Sequence, residues 1–322
     1  MQIATVPCYE AETMSHPFNA LVNALARTKT VSLLGCGWLG IPLASGLQTR
    51  DVFVRGSTTN PARISILSSL GIEPLLLRIE PLEDGDIFSD SPAADRFFDS
   101  STLVIDIPPE TALGADYHPA QISAILARVN LPSVQHILYV SSTSVYGSHQ
   151  GAVDEETELL PDQGSGQILK RAEKMLTDYA RKHSVGLTIV RPGGLIGPGR
   201  HPGLFLAGRK GAVNGESPVN LIHQLDLVDF LTSLIVDHPT AAGTVEIYNA
   251  VSTHHPLRSE FYPRAALAIG VEPPLFLPNE TPPTKTVGSE KIRRVTGFVA
   301  RFDDLYASIG AGGTGHAKVG LS

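Results

Sequence analysis

The stretch VSLLGCGWLGIPLASGL, Val31 to Leu47, constrains the fold more than any other part of the chain. Glycines at 35, 37 and 40 follow directly on an apolar run, helix-suited residues come next, and a second strand-like run, Val52 to Val54, arrives soon after. That order is a strand, a tight turn, a helix and a strand, the repeating unit of a parallel sheet. Each glycine has a separate reason in such a unit. Gly35 permits the tight turn, Gly37 removes a side chain where backbone must approach a diphosphate, and Gly40 lets the helix pack closely on the strand. The helix N-terminus offers free N–H groups and a positive dipole end to phosphates. A plain strand-to-helix turn without a ligand has the same glycines, but the three context tests of a dinucleotide loop are all met: a strand before, a helix after, and a returning strand at the right length. Gly35, Cys36, Gly37, Trp38, Leu39 and Gly40 are therefore candidate cofactor-binding residues.

Further short apolar or β-branched runs recur at Leu75 to Ile79, Leu103 to Ile107, Ile137 to Val140 and Leu187 to Val190. Helix-compatible stretches at Pro61 to Leu70, Pro119 to Val129 and Gln167 to Lys182 lie between several of them. Buried apolar strands alternating with helices predict an α/β fold, a doubly wound parallel sheet (Rossmann) of six or seven strands with a smaller C-terminal substrate domain. The expected divisions are an N-terminal extension over 1–28, a dinucleotide-binding domain over 29–195, a substrate-binding domain mostly over 196–308, and a flexible glycine-rich tail over 309–322. Short strands are expected at Val219 to Ile222 and at Val245 to Tyr248, the latter (about 244–249) a candidate to rejoin the sheet, and a helix with its stop at Ser289 to Gly297.

With 42% hydrophobic and 18% charged residues among 322, the chain reads as soluble and globular, with no apolar run near the roughly 20 residues that cross a bilayer. A net charge of -7 lacks the basic excess that binds nucleic acid. Neither membrane nor nucleic acid is expected as a partner; a small molecule is, and a homodimer is left open. The first 28 residues lack the basic start and apolar block of a secretory signal, and the two cysteines, Cys8 and Cys36, read as neither a disulfide nor metal ligands, so a cytoplasmic location is expected. No metal site is read.

The end of the second strand sorts NAD from NADP, because an acid there accepts the ribose 2′-hydroxyl. The chain reads VFVRGSTTN, with Asp51 at the strand's beginning and Arg55, Ser57, Thr58 and Thr59 at its exit. A cationic, hydroxyl-rich exit without a carboxylate favours NADP over NAD; the plain alternative has Arg55 in solvent and the threonines capping the next helix. Ligands of such sheets lie across the carboxyl ends of the strands, which adds Ile107, Pro108, Pro192 and Leu195 to the cofactor candidates. Arg200 and His201, on the glycine- and proline-rich loop after the sixth strand, are candidate substrate-binding residues, one for an anionic group and one for proton transfer.

The segment HILYVSSTSVYGSHQGAVDEETELLP resembles the SSxxVYG signature of the extended short-chain dehydrogenase/reductases, the NAD-dependent epimerase and dehydratase group. With GCGWLG upstream and TIVRPGGLIGPGRHPG downstream, the resemblance covers about Thr30 to Phe298, and GWLG, SSTSVYG, GPGRHPG and FYP are similar to an atypical bacterial branch, the YeeZ-type proteins. The resemblance implies an NAD(P)-dependent oxidoreductase or epimerase-like enzyme acting on a small polar or nucleotide-linked substrate. It places Ser142 at the catalytic hydroxyl and Lys170 at the lysine of the Tyr-x-x-x-Lys pair. The tyrosine of that pair is missing: the matching places hold Gly166 or Gln167. Tyr146 is a candidate to replace it, although the family uses this tyrosine for packing. The alternative implied by the loss is a non-catalytic NAD(P)-binding sensor or regulatory protein. Asp226 is read as a helix N-cap, and Asp154 to Glu158 as an exposed acidic loop.

Overall fold

Strands β1 (Thr30–Leu34), β2 (Phe53–Thr58), β3 (Glu73–Leu76), β4 (Thr102–Ile105), β5 (His136–Val140), β6 (Gly186–Pro192) and β7 (Val245–Ala250) form one parallel sheet in the order β7-β6-β5-β4-β1-β2-β3. The order reverses between β1 and β4, and this is where a doubly wound sheet opens a crevice. These features come from a computed structural model describing residues 29–80, 92–162, 164–278 and 283–311. The expected extension over 1–28, Cys8 with it, lies outside the described residues, and helix α9 (Leu305–Ala311) occupies the start of the expected tail.

Alternation along the strands explains two covered faces. Val31 and Leu33 of β1, Val104 of β4 and Leu138 of β5 join a core with Leu43 and Leu47 of α1 (Gly40–Gln48) and Phe230, Leu231 and Leu234 of α6 (Gln224–Val236). Leu34, Leu103, Ile105, Ile137 and Tyr139 face the other way, onto Ile122 and Ile125 of α4 (Tyr117–Arg128) and Leu169, Ala172, Leu176 and Ala180 of α5 (Ser165–His183). Successive side chains of a strand point to opposite faces, and helix positions three or four apart share one. Two short helices, α2 (Ile64–Ser69) and α3 (Pro92–Phe97), flank the β3 side.

A smaller core gathers Ile196, Val219 and Leu221 with Phe261, Tyr262 and Ala265 of α7 (Arg258–Ala268) and Leu305 and Ile309 of α9. This second lobe stands at the carboxyl end of the sheet through the short parallel pair Gly194–Ile196 and Leu221–His223. Helix α8 (Glu290–Thr296) stops at Gly297, which takes the left-handed conformation that favours glycine. No helix among the described residues is long and apolar enough to cross a membrane.

Two sequence expectations shift. β2 runs on through Gly56, Ser57 and Thr58, past the expected end at Val54, and β3 starts at Glu73, because the parallel register sets Arg55 beside Glu73 and their side chains pair, Nε to Oε2 3.1 Å. Pro74 is tolerated in β3 because that strand is the sheet's edge. Asp226 is not the N-cap of α6. His223 is, with Nδ1 accepting from the Leu225 amide at 3.3 Å, while the Asp226 carboxylate accepts the amides of Arg301 and Phe302 and ties that segment to α6.

Candidate functional site

The three glycines of the turn divide as their chemistry predicts. Gly35 has φ +104°, and a Cβ there would stand 2.2 Å from the Asp106 carbonyl oxygen. A Cβ on Gly40 would lie 2.2 Å from the Gly35 oxygen, so both positions are demanded by folding. Gly37 differs: a Cβ there would meet nothing within 4 Å. The turn is braced from β2, with the Gly35 amide donating to Ser57 Oγ (3.0 Å) and the Cys36 amide to the Ser57 carbonyl (2.9 Å). Burial pushes the Cys36 thiol up to about 12, so it is a neutral packing group, seated where a Cβ on Gly56 would collide with its sulfur.

A cavity of about 440 Å³ opens in front of this turn. Its walls include Gly35, Cys36, Gly37, Trp38 and Leu39, then Ser57, Thr58 and Thr59 from the end of β2, Ile107 and Pro108 after β4, and Leu195 and Arg200 from the second lobe. Leu77, Ile79 and Gln121 close its far side. Of the expected cofactor residues, the ones outside this lining are Gly40, at the start of α1, together with Arg55 and Pro192.

Arg55 is spent elsewhere: besides Glu73, its Nη1 donates to the carbonyls of Arg96 (2.7 Å) and Asp99 (2.6 Å). On this side the cavity is lined instead by Arg63, at the end of the single turn Pro61–Arg63, with Nη1 donating to the Cys36 carbonyl at 3.4 Å. Its signal was available, since it follows the Thr58-Thr59-Asn60 exit by one helical turn. Pro192 ends β6 as a buried residue paired with Ala250. Asp106, also missed, lines the cavity beside the turn; burial pushes its carboxyl up to about 8, with Arg200 pulling the other way.

Arg200, a candidate substrate-binding residue, lines the cavity with its guanidinium 4.3 Å from the Trp38 ring. His201 is turned away: Nδ1 accepts from the Gly203 amide (3.1 Å) and Nε2 donates to the Ile309 carbonyl (3.2 Å), so it caps the turn Pro202–Leu204.

The chain is 35% identical over 278 residues to protein YeeZ of Escherichia coli K12, across 86% of this chain and 97% of that protein. It belongs to the YeeZ family. No protein-family model matches. Among solved structures, a functionally unknown conserved protein from Silicibacter pomeroyi superposes with a TM-score of 0.66 at 23% identity over 88% of this chain and 98% of that one. UDP-glucose 4-epimerase from Bifidobacterium longum, in complex with NAD+ and UDP, gives 0.70 at 16% identity over 88% and 98%. At these identities the two structures speak to the fold.

Of the two places in this YeeZ-family chain that match the tyrosine expected from the resemblance, Gly166 is closed to a side chain and Gln167 is exposed. A Cβ on Gly166 would stand 2.6 Å from the Ser144 carbonyl oxygen and 3.0 Å from Pro161 Cβ, so α5 lies too close to the turn Thr143–Tyr146 for any larger residue. Lys170 is exposed and donates to the Leu159 carbonyl (2.7 Å). Ser142 caps the Thr143–Tyr146 turn, its Oγ accepting the Ser144 amide at 3.1 Å. Tyr146 is fully buried, donating to Asn249 Oδ1 (2.8 Å) and accepting from Arg191 Nη1 (2.9 Å). Burial raises its phenol against the pull of Arg191 and Asn249. None of Ser142, Tyr146 and Lys170 lines the cavity. Glu155, expected in an exposed acidic loop, accepts the Asn249 amide at 2.8 Å and belongs to the same buried network.

Proposed function

We propose that the chain binds a nicotinamide dinucleotide, NADP in preference to NAD, with its diphosphate on the Gly35–Gly40 turn, and that it works as a dinucleotide-binding sensor or regulatory protein without the family's tyrosine-driven proton transfer. One observation supports the second half: neither matching place holds a tyrosine, and Gly166 is closed against the Ser144 carbonyl while the other is Gln167. An oxidoreductase or epimerase-like enzyme needs a group that moves a proton beside the nicotinamide. Tyr146 is sealed, Lys170 is turned to a carbonyl, and Ser142 serves a cap. The NADP preference is supported by Arg63 beside Ser57, Thr58 and Thr59 at a strand end that lacks a carboxylate.

Calorimetric titration with each dinucleotide, followed by incubation of the reduced cofactor with carbonyl compounds and sugar nucleotides, tests the proposal. The expected result is tighter uptake of NADP than of NAD with no cofactor turnover. Steady oxidation of either cofactor by any substrate in the panel removes the sensor reading.

Asp106 adds a pH dependence. Facing it are the Cys36 thiol, silent below about 12, the permanently cationic Arg63 and Arg200, and Glu110 at the rim. Its folded value, about 8, lies above the ordinary carboxyl value of about 3.9, so the folded chain keeps a proton that the unfolded chain releases. The group's stabilising contribution is therefore present at low pH and is lost as pH rises through the window up to about 8. A diphosphate beside it raises the group further, so nucleotide uptake takes up a proton and weakens as pH climbs past about 8. Asp106→Asn is expected to flatten the affinity profile between pH 7 and 9; a wild-type profile already flat there dismisses the effect.

A further inference from the structure

The loop Gly197–Arg200 of the second lobe is held against the glycine turn by an unusual pair of contacts. Trp38, in the middle of the turn, donates its indole N–H to the Pro198 carbonyl at 2.7 Å and offers its ring to the Arg200 guanidinium at 4.3 Å. The turn's geometry is fixed from both ends: the Arg200 amide donates to the Gly197 carbonyl (2.9 Å), the Gly197 amide to the Arg200 carbonyl (3.3 Å), and Gly197 and Gly199 both have positive φ. From the other side, Gln224 Nε2 donates to the Trp38 carbonyl at 2.6 Å. Arg200 is exposed, lines the cavity, and makes no ion pair or side-chain hydrogen bond with a described residue. Its guanidinium donors are thus uncommitted and border the same cavity as the glycine turn.

We infer that Arg200 is a diphosphate-binding residue supplied across the cleft by the second lobe, held ready on the face of Trp38. The inference rests on the dinucleotide reading above and adds to it a group supplied by the second lobe. The planar guanidinium presents donors in a fork that matches two phosphate oxygens, which an ammonium cannot do. A cation resting on an indole face keeps its charge and loses little hydration, so it is ordered before the ligand arrives and the ordering cost of binding is reduced. Gly37, with open space where a side chain would be, and Arg200 then bound the diphosphate on two sides. Recognition is of a nucleoside diphosphate as such, so ADP shares it with the whole dinucleotide and adenosine does not.

The test is titration of the full chain with NADP, ADP and adenosine in wild type, Arg200→Ala, Arg200→Lys and Trp38→Leu, with thermal melting of each variant. Arg200→Ala is expected to weaken NADP and ADP by about 30-fold, of the order of one charge-assisted hydrogen-bonded contact, and to leave adenosine within twofold. Arg200→Lys should recover only part of the loss, and Trp38→Leu should lose about 5-fold with ADP through a less ordered arginine. Wild-type uptake of ADP that Arg200→Ala leaves within twofold overturns this inference alone. A wild-type chain that takes neither NADP nor ADP overturns the dinucleotide reading and this inference together.

Discussion

Arg191→Met is expected to cost about 3–5 kcal/mol of folding free energy, the largest stability loss of any single substitution considered in this chain. Arg191 near the end of β6 and Glu173 on α5 are paired bidentately, Nη2 to Oε2 at 2.7 Å and Nε to Oε1 at 3.1 Å, with side chains only 3% and 5% exposed. Ser141 Oγ donates to the same Glu173 Oε1 at 2.6 Å, and the free arm of Arg191 reaches the Tyr146 hydroxyl. Tyr146 passes the connection to Asn249 of β7, whose Nδ2 donates to the Gly288 carbonyl at 3.0 Å. The network joins β5, α5, β6 and β7 where they approach the cleft. Taking two charges out of water costs nearly as much as their attraction returns, so the pair itself adds little net stability. Removing one partner is the expensive event, because it leaves a buried carboxylate with no cation. Arg191→Met/Glu173→Met should therefore regain most of what Arg191→Met loses, and a double-mutant cycle in urea reads the coupling directly. A midpoint for Arg191→Met equal to that of wild type would show that water reaches Glu173 and that the network is not sealed.

Most strands of the sheet were legible as short apolar runs, the polar end of β2 and polar start of β3 excepted, and the two-faced core follows from their alternation. The roles of Gly35 and Gly40 were legible too, since a close backbone approach leaves a specific residue type behind. What escaped was anything set by a partner distant in the sequence. Arg55 and Arg63 are eight positions apart and look equivalent as cations near a strand end; only the register of β2 against β3, which brings Glu73 alongside, assigns the first to an ion pair and leaves the second in the cavity. Glu173 reads as an ordinary helix-surface acid until Arg191 is folded beneath it. Asp226 and His223 exchange roles because the segment that occupies Asp226 arrives 75 residues later in the chain. The missing tyrosine was visible as an absence, but the closure of Gly166, one of its two matching places, against the Ser144 carbonyl was not.

Gly37→Val is expected to abolish dinucleotide uptake, at least about 100-fold in affinity, while leaving the melting temperature where it is in wild type. The glycine turn supplies its own control. A Cβ at 37 meets nothing within 4 Å in the folded chain, so the substitution is expected to stay within about 0.5 kcal/mol, as surface changes do. The first amides of a helix have no acceptor within the helix and are the donors a diphosphate would use. Two branched methyl groups beside them hold a phosphate away. Two charge-assisted hydrogen bonds lost at about 1.5–3 kcal/mol each account for 100-fold or more. Gly35→Ala must fail in the opposite way. Its φ of +104° is costly for any side chain and its Cβ would press on the Asp106 carbonyl at 2.2 Å, so a loss of at least about 2 kcal/mol in stability is expected. A chain in which both substitutions unfold the protein, or in which Gly37→Val binds as wild type does, has its diphosphate site somewhere other than this turn. The two glycines, two positions apart, are therefore the sharpest experimental handle on the site: Gly35 is demanded by the fold, and substitution of Gly37 tests whether a ligand comes close there.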